Sequence, residues 1–262
     1  MPQSLKSDAT AVQPTQRRSL LRSCLGFSAF ALVAELGAAP IRPVSLSARA
    51  WVSRQRELAH GLKAGTLRPT QWHDGVNAMA AELALDNLAA ELRRARIRNS
   101  GLPFGNDPQK RFVTLLDDQG QPRQLGYGLA LFDFTASSVI TPHAHKHMVS
   151  AHLVIDGRVR VRTFDRVADE GDALILRPRA DLVAEVGHST AMTTPKNNVH
   201  WFAPRSRRAM TLDIIIDGLD AGQDNYTIQP VDPLGGKQLA DGTIRAPVIS
   251  FERSMALYTA KL

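Results

Sequence analysis

Cysteine is nearly missing from this chain. The single one in 262 residues is Cys24, and it lies in an N-terminal stretch set apart from the rest. Disulfide stapling, cysteine-rich zinc sites and thiol catalysis by the body of the protein are thereby excluded. Long hydrophobic runs are missing too. The most apolar stretch, residues 23–39 (SCLGFSAFALVAELGAA), is interrupted by Glu35 and two glycines, so it is too short and too polar for a stable membrane span. No internal repeat or low-complexity segment is evident. The net charge is +7, but the basic residues are dispersed over 93–96, 158–162 and 205–208, and no nucleic-acid reader motif accompanies them. They read as solvated faces with at most a weak pull on anionic substrates or membrane surfaces. What remains is an ordinary globular composition, 44% hydrophobic and 22% charged, enough for one large domain or two small ones.

Arg17-Arg18 stands directly ahead of the apolar stretch and resembles a twin-arginine export signal. Ala48-Arg49-Ala50 offers a cleavage site that starts the mature chain at Trp51, leaving residues 1–50 as an address. The resemblance implies passage through the twin-arginine machinery in a folded, metal-loaded state, and a periplasmic or secreted location. A disordered or amphipathic N-terminus is the alternative reading.

Residues 51–98 predict a helical N-terminal segment. One helix covers 52–63 and is ended by Gly65. Thr70 is the expected N-cap of the next region. Residues 78–92 (AMAAELALDNLAAEL) are rich in strong helix formers and free of Gly and Pro, which predicts continuous helix. Residues 99–110 read as a turn-rich linker. Short strands follow over 111–116, 125–134, 150–164, 173–176, 182–186, 199–202 and 209–216, with a further strand at 246–251 in a loop-like tail. In 158–162 arginines alternate with valines, the mark of a half-buried antiparallel strand with one wet face. The expected fold is mostly β, a jelly roll or sandwich over 111–262 with a C-terminal extension.

Four of the eight histidines, His143, His145, His147 and His152, fall within residues 142–152 (PHAHKHMVSAH). A fifth, His200, lies in PKNNVHWFAP. Neutral imidazole is the commonest transition-metal ligand. In an extended segment His143 and His145 project to one side. Gly157 follows twelve residues after His145, and Gly187, Pro195 and His200 form a second group spaced Gly-x7-Pro-x4-His. A register using His145, His147 and His152 is the other arrangement these residues permit. His147 and His152 are otherwise candidates to orient ligands or substrate. Asp213 sits in an apolar strand, where it either faces outward by alternation or is buried and must be paired. Tyr226 is a candidate phenol donor.

The two spaced groups resemble the cupin superfamily, whose first motif runs His-x-His, then Glu, six residues and Gly, and whose second ends in Pro and His. That implies a cupin-type jelly-roll β-barrel behind the short helical segment. Ser150 stands at the position of the cupin glutamate. The ligand set implied is therefore His143, His145 and His200 alone. Within the superfamily, VITPHAHKHM, Gly157, NNVHWFAP and TLDIII resemble thiol dioxygenases of the cysteamine and plant-cysteine-oxidase type, over about residues 112–216. The resemblance implies Fe(II), a small thiol substrate, O2, and an active-site role for Asp213, which matches with a one-residue offset. Two features depart from that family. Lys146-His147 replaces its Pro-Gly, and Ile216-Asp217-Gly218 replaces its Gly-Pro-Pro-Tyr run, so the substrate stays open. Imidazole ligands suit zinc, copper and nickel as well as iron. An exported, non-catalytic cupin module that binds a metal or small ligand is the alternative function. A metal-dependent isomerase or hydrolase would want a carboxylate base, and no Glu lies between His143 and Gly157.

Overall fold

The alternation in 158–162 sets the local pattern. In the computed structural model, which describes residues 45–220 and 227–259, Val159 and Val161 point inward, and Arg160 and Arg162 lie outside, both bonded to Asp181. Other strands, such as β5 and β9, are buried on both faces over most of their length. The helices α1 (Ala48–Lys63), α2 (Pro69–Glu82) and α3 (Leu85–Arg94) come first. The strands then run β1 (Arg96–Asn99), β2 (Gln109–Thr114), β3 (Gly128–Thr135), β4 (Ile140–Lys146), β5 (Val149–Asp156), β6 (Val159–Glu170), β7 (Ala173–Ala184), β8 (Ser189–Met192), β9 (Val199–Pro204) and β10 (Arg208–Ile216). The C-terminal part adds β11 (Thr227–Pro230), β12 (Lys237–Gln238), β13 (Ile244–Pro247) and α4 (Phe251–Thr259).

Two antiparallel sheets result, ordered β1-β2-β3-β10-β5-β8 and β11-β4-β9-β6-β7-β13-β12. Their central strands, β3-β10-β5-β8 and β4-β9-β6-β7, interleave in sequence. The chain crosses from one sheet to the other after nearly every strand. That order is a jelly roll, the architecture of cupins. The mostly β, cupin-type expectation is met.

The helical layer decides which way β10 faces. Trp51, Trp72 and Leu88 pack with Leu153, Leu212, Ile214 and Ile216 on the outer side of the first sheet. By alternation Thr211, Asp213 and Ile215 turn inward. Inside, Phe134, Val154, Val159, Val161, Met192 and Phe202 fill one part of the barrel. The histidines occupy another.

Several local expectations are corrected. The run 78–92 is two helices, not one. Its backbone becomes extended at Leu83, which forms a bridge with Leu46; the Leu46 amide donates to the Glu82 carbonyl and the Leu46 carbonyl accepts from the Ala84 amide. Burial of Leu46 and Leu83 outweighs intrinsic helix propensity. The cap of α2 is Arg68, with Pro69 in the first turn and Gln71 Oε1 accepting from the Arg68 amide at 3.0 Å; Thr70 lies inside the helix. Residues 150–164 form two strands in different sheets, separated by Gly157 at φ +66°. A Cβ there would lie 2.3 Å from the Arg208 carbonyl oxygen, so only glycine allows that approach. Strands expected at 173–176 and 182–186 are one, β7. The supposed linker contains the end of β1 and the start of β2. Trp51, the expected start of the mature chain, lies within α1, which begins at Ala48 and is capped by Ser47. Arg17-Arg18 and Cys24 lie outside the described residues.

Candidate metal centre

β4 and β9 are antiparallel neighbours, and His143 and His200 are directly opposite each other in their register. His145 is two residues along β4, on the same face. The three rings converge, with centroids 4.3–4.9 Å apart. One nitrogen from each lies within 4.8 Å of the others, a group that could hold a metal ion. The alternative register is not what the fold assembles. His147 sits at φ +62° in the turn after β4 and pairs with Asp220. It does not line the cavity described below.

Backbone carbonyls fix the tautomers. His143 Nδ1 lies 2.8 Å from the Thr141 carbonyl oxygen, and His200 Nδ1 lies 3.3 Å from that of Asn198. A carbonyl only accepts, so each Nδ1 carries the proton and each Nε2 keeps its lone pair. Asn198 also donates from its side-chain amide to the His145 carbonyl at 2.8 Å and to that of Thr193 at 3.1 Å. It thus ties the strand bearing two histidines to the strand bearing the third.

Burial holds all three imidazoles neutral. It lowers His143 to about 4 against the small opposing effect of the Thr141 carbonyl. It pushes His145 and His200 well below the usual range, and the neighbouring histidines add to the effect. His143 Nε2 and His145 Nε2 face each other at 3.0 Å. Two nitrogens each about 2.1 Å from one ion and at right angles are about 3.0 Å apart. The donor set, its spacing and its dryness fit a divalent transition ion.

His152 and Asp213 stand beside this group, opposite each other on β5 and β10. His152 is clasped between Phe132 and Phe202, with centroids 5.1 and 4.7 Å away, and its Nδ1 bonds Thr211 Oγ1 at 2.9 Å. Burial lowers it to about 3. Its Nε2 is 3.6 Å from Asp213 Oδ1, too far for a hydrogen bond. Asp213 is 5% exposed. Burial drives its carboxyl well above the ordinary range, against the field of Lys110 and a backbone bond from Ala151. The outward alternative for Asp213 is therefore not the one adopted. Ser150, at the cupin glutamate position, is fully buried and its hydroxyl has no partner among the described residues. Tyr226 lies outside the described residues.

A cavity of about 280 Å³ opens onto these groups. His143, His145, His152, His200 and Asp213 form its floor. Phe132, Ile140, Met148, Ile215 and Ile228 form apolar walls. The mouth is made by Leu102, Pro103, Phe104 and Asp107 from the supposed linker, and by Phe251 and Met255 of α4. Sequence reading missed this mouth and Lys110. The available signal was a loop carrying large apolar residues: Leu102 is 97% exposed, which a mere spacer does not require.

No protein-family model and no curated protein matches the sequence. Among solved structures, the chain is similar to procruciferin, an 11S globulin from Brassica napus, at 13% identity and TM-score 0.36, over 50% of this chain and 29% of that one. It is similar to vicilin from Capsicum annuum at 14% and 0.36, over 53% and 34%, and to KdgF from Halomonas sp. at 16% and 0.31, over 45% and 83%. The chain thus spans about a third of the length of the first two of these. Scores this low carry no argument about chemistry, and the jelly-roll assignment rests on strand order.

Proposed function

We propose that this protein is a metal-dependent cupin enzyme, an Fe(II) dioxygenase that converts a small thiol to its sulfinate, both atoms of O2 going to sulfur. The observation that supports it most is the convergence of three neutral imidazoles on the floor of a cavity with apolar walls. His143, His145 and His200 would hold the ion. When bound, iron would supply dioxygen activation and favour the thiolate form of the substrate. Its choice over other divalent ions rests on the sequence resemblance. The remaining work belongs to the chain. Phe132, Ile140, Met148 and Ile228 exclude water and confine the reactants. Asp213, whose carboxyl burial pushes toward the protonated form, faces the cavity beside His152, whose imidazole burial pushes toward the neutral form. Together they can orient a substrate or move a proton. The proposal also takes the chain to be exported by the twin-arginine route, on Arg17-Arg18 alone.

Metal analysis tests the reading. Protein purified without chelators, or reconstituted anaerobically with ferrous iron, is expected to hold about one iron per chain. His143→Ala and His200→Ala are expected to lose it. Oxygen uptake with a thiol panel then tests turnover. Absence of bound iron in the unaltered protein would sink the enzyme. Iron without oxygen uptake would leave the binding module.

A further inference from the structure

Lys110 is the feature of the cavity that the metal site does not explain. It lies on β2 opposite Phe132 of β3 and lines the same cavity as the four histidines and Asp213. Its ammonium sits 5.2 Å from the Phe112 ring centroid and 5.4 Å from that of Phe132. Among the described residues it makes no ion pair and no side-chain hydrogen bond. The other basic groups near these strands are answered differently: Arg111 pairs with Asp133 at 2.6 Å, and Arg98 lies over the outer ring of Phe112.

Lys110 is half-buried, so its ammonium gives up part of its hydration at a largely apolar cavity. The rings of Phe112 and Phe132 offset part of that cost and hold the side chain in place. They leave its three N–H donors unused. The cavity has little to offer them. Among the described residues, neither Asp107 nor Asp213 approaches Lys110 closely enough to pair. A divalent ion on the three histidines would leave the cavity more positive still.

We propose that Lys110 is the anion anchor of this cavity, and that the molecule it takes is a small carboxylic acid with an apolar body. The carboxylate meets the Lys110 ammonium. The body lies against Phe132, Ile140, Met148 and Ile228. Such a site selects against amines of the same shape, because two cations would be brought side by side. The inference deepens the functional reading above, which treats this cavity as the substrate site. It narrows the substrate to an acid, whatever its reacting group.

The test uses three probes with one body, 3-phenylpropanoate, 3-phenylpropanamide and 3-phenylpropylamine. Binding to the full chain is measured by calorimetry, with and without ferrous iron, and the metal content of each sample is recorded. The acid is expected to bind the metal-free protein about tenfold or more tightly than the amide, and the amine not detectably. Lys110→Met should remove that preference while leaving amide binding unchanged. Lys110→Arg should restore most of it. No preference for the acid, including no binding of any probe, would overturn the inference. So would an undiminished preference in Lys110→Met. Failure of iron to bind while the acid preference holds would defeat the enzyme reading and leave the anchor standing. Circular dichroism of each variant confirms that the fold is retained.

Discussion

At the scale of single residues, the centre is organised by neutral histidines in a dry place. His152 is the clearest case, because it is not one of the three converging ligands and burial leads its shift, with smaller contributions from His143 and Lys110. Its folded pKa is about 3, against about 6.5 in an unfolded chain. Between those values the unfolded state binds a proton that the folded state refuses. The neutral imidazole's contribution is therefore complete above about pH 6.5 and is lost as pH falls toward 3. Asp213 acts in the opposite sense. Its raised carboxyl favours the fold at low pH, and that contribution is lost as pH rises. Replacing His152 with Gln isolates the first effect. In chelated protein, the slope of unfolding free energy between pH 4 and 6 should fall by about 1.4 kcal/mol per pH unit, one proton's worth. Denaturant titrations across that range measure it. An unchanged slope would mean that His152 is charged in the fold.

At the scale of elements, the site is only as firm as the strands that carry it and the layer behind them. Asn198 links β9 to β4 through the His145 carbonyl, so the ligand geometry depends on one buried amide. Behind the first sheet, α1 begins on Ser47, whose hydroxyl accepts from the Ala50 amide at 3.3 Å, and Leu46 is buried against the α2–α3 junction. A chain beginning at Trp51 would lack both. Compared with one beginning at residue 45, it should be less stable by about 3 kcal/mol, from a lost cap and a lost buried leucine. Thermal unfolding would register this as a drop of about 6–12 °C. Equal midpoints would show that the segment before Trp51 contributes nothing to the fold.

At the scale of the whole molecule, the cavity is closed by parts distant in sequence. The loop after β1 forms one side of the mouth and α4 the other. α4 also covers Trp201, which is buried in edge contact with Tyr258, ring centroids 4.8 Å apart. Ending the chain at residue 249 removes Phe251, Met255 and Tyr258 together. Trp201 emission should then shift red and become accessible to acrylamide, while Trp51 and Trp72 stay buried under the helical layer. Unchanged quenching would show that α4 does not shield this face.

How much of this was legible in the sequence follows from the range of each interaction. The sequence by itself determined the β-rich fold, because a period of two in residues such as 158–162 reflects local backbone geometry. It also determined that His143 and His145 share a face. With Gly157, Pro195 and His200, the resemblance to cupins then implied one of the two histidine groups the spacing permits. Tertiary structure alone decided the rest. The break at Leu83 depends on Leu46, and the inward turn of Asp213 depends on helices covering the other face of β10. The placing of Lys110 and of the loop at 100–108 at the cavity depends on the pairing of β2 with β3. None of these contacts leaves a periodic trace, since each joins segments whose separation along the chain is set by folding and not by local spacing.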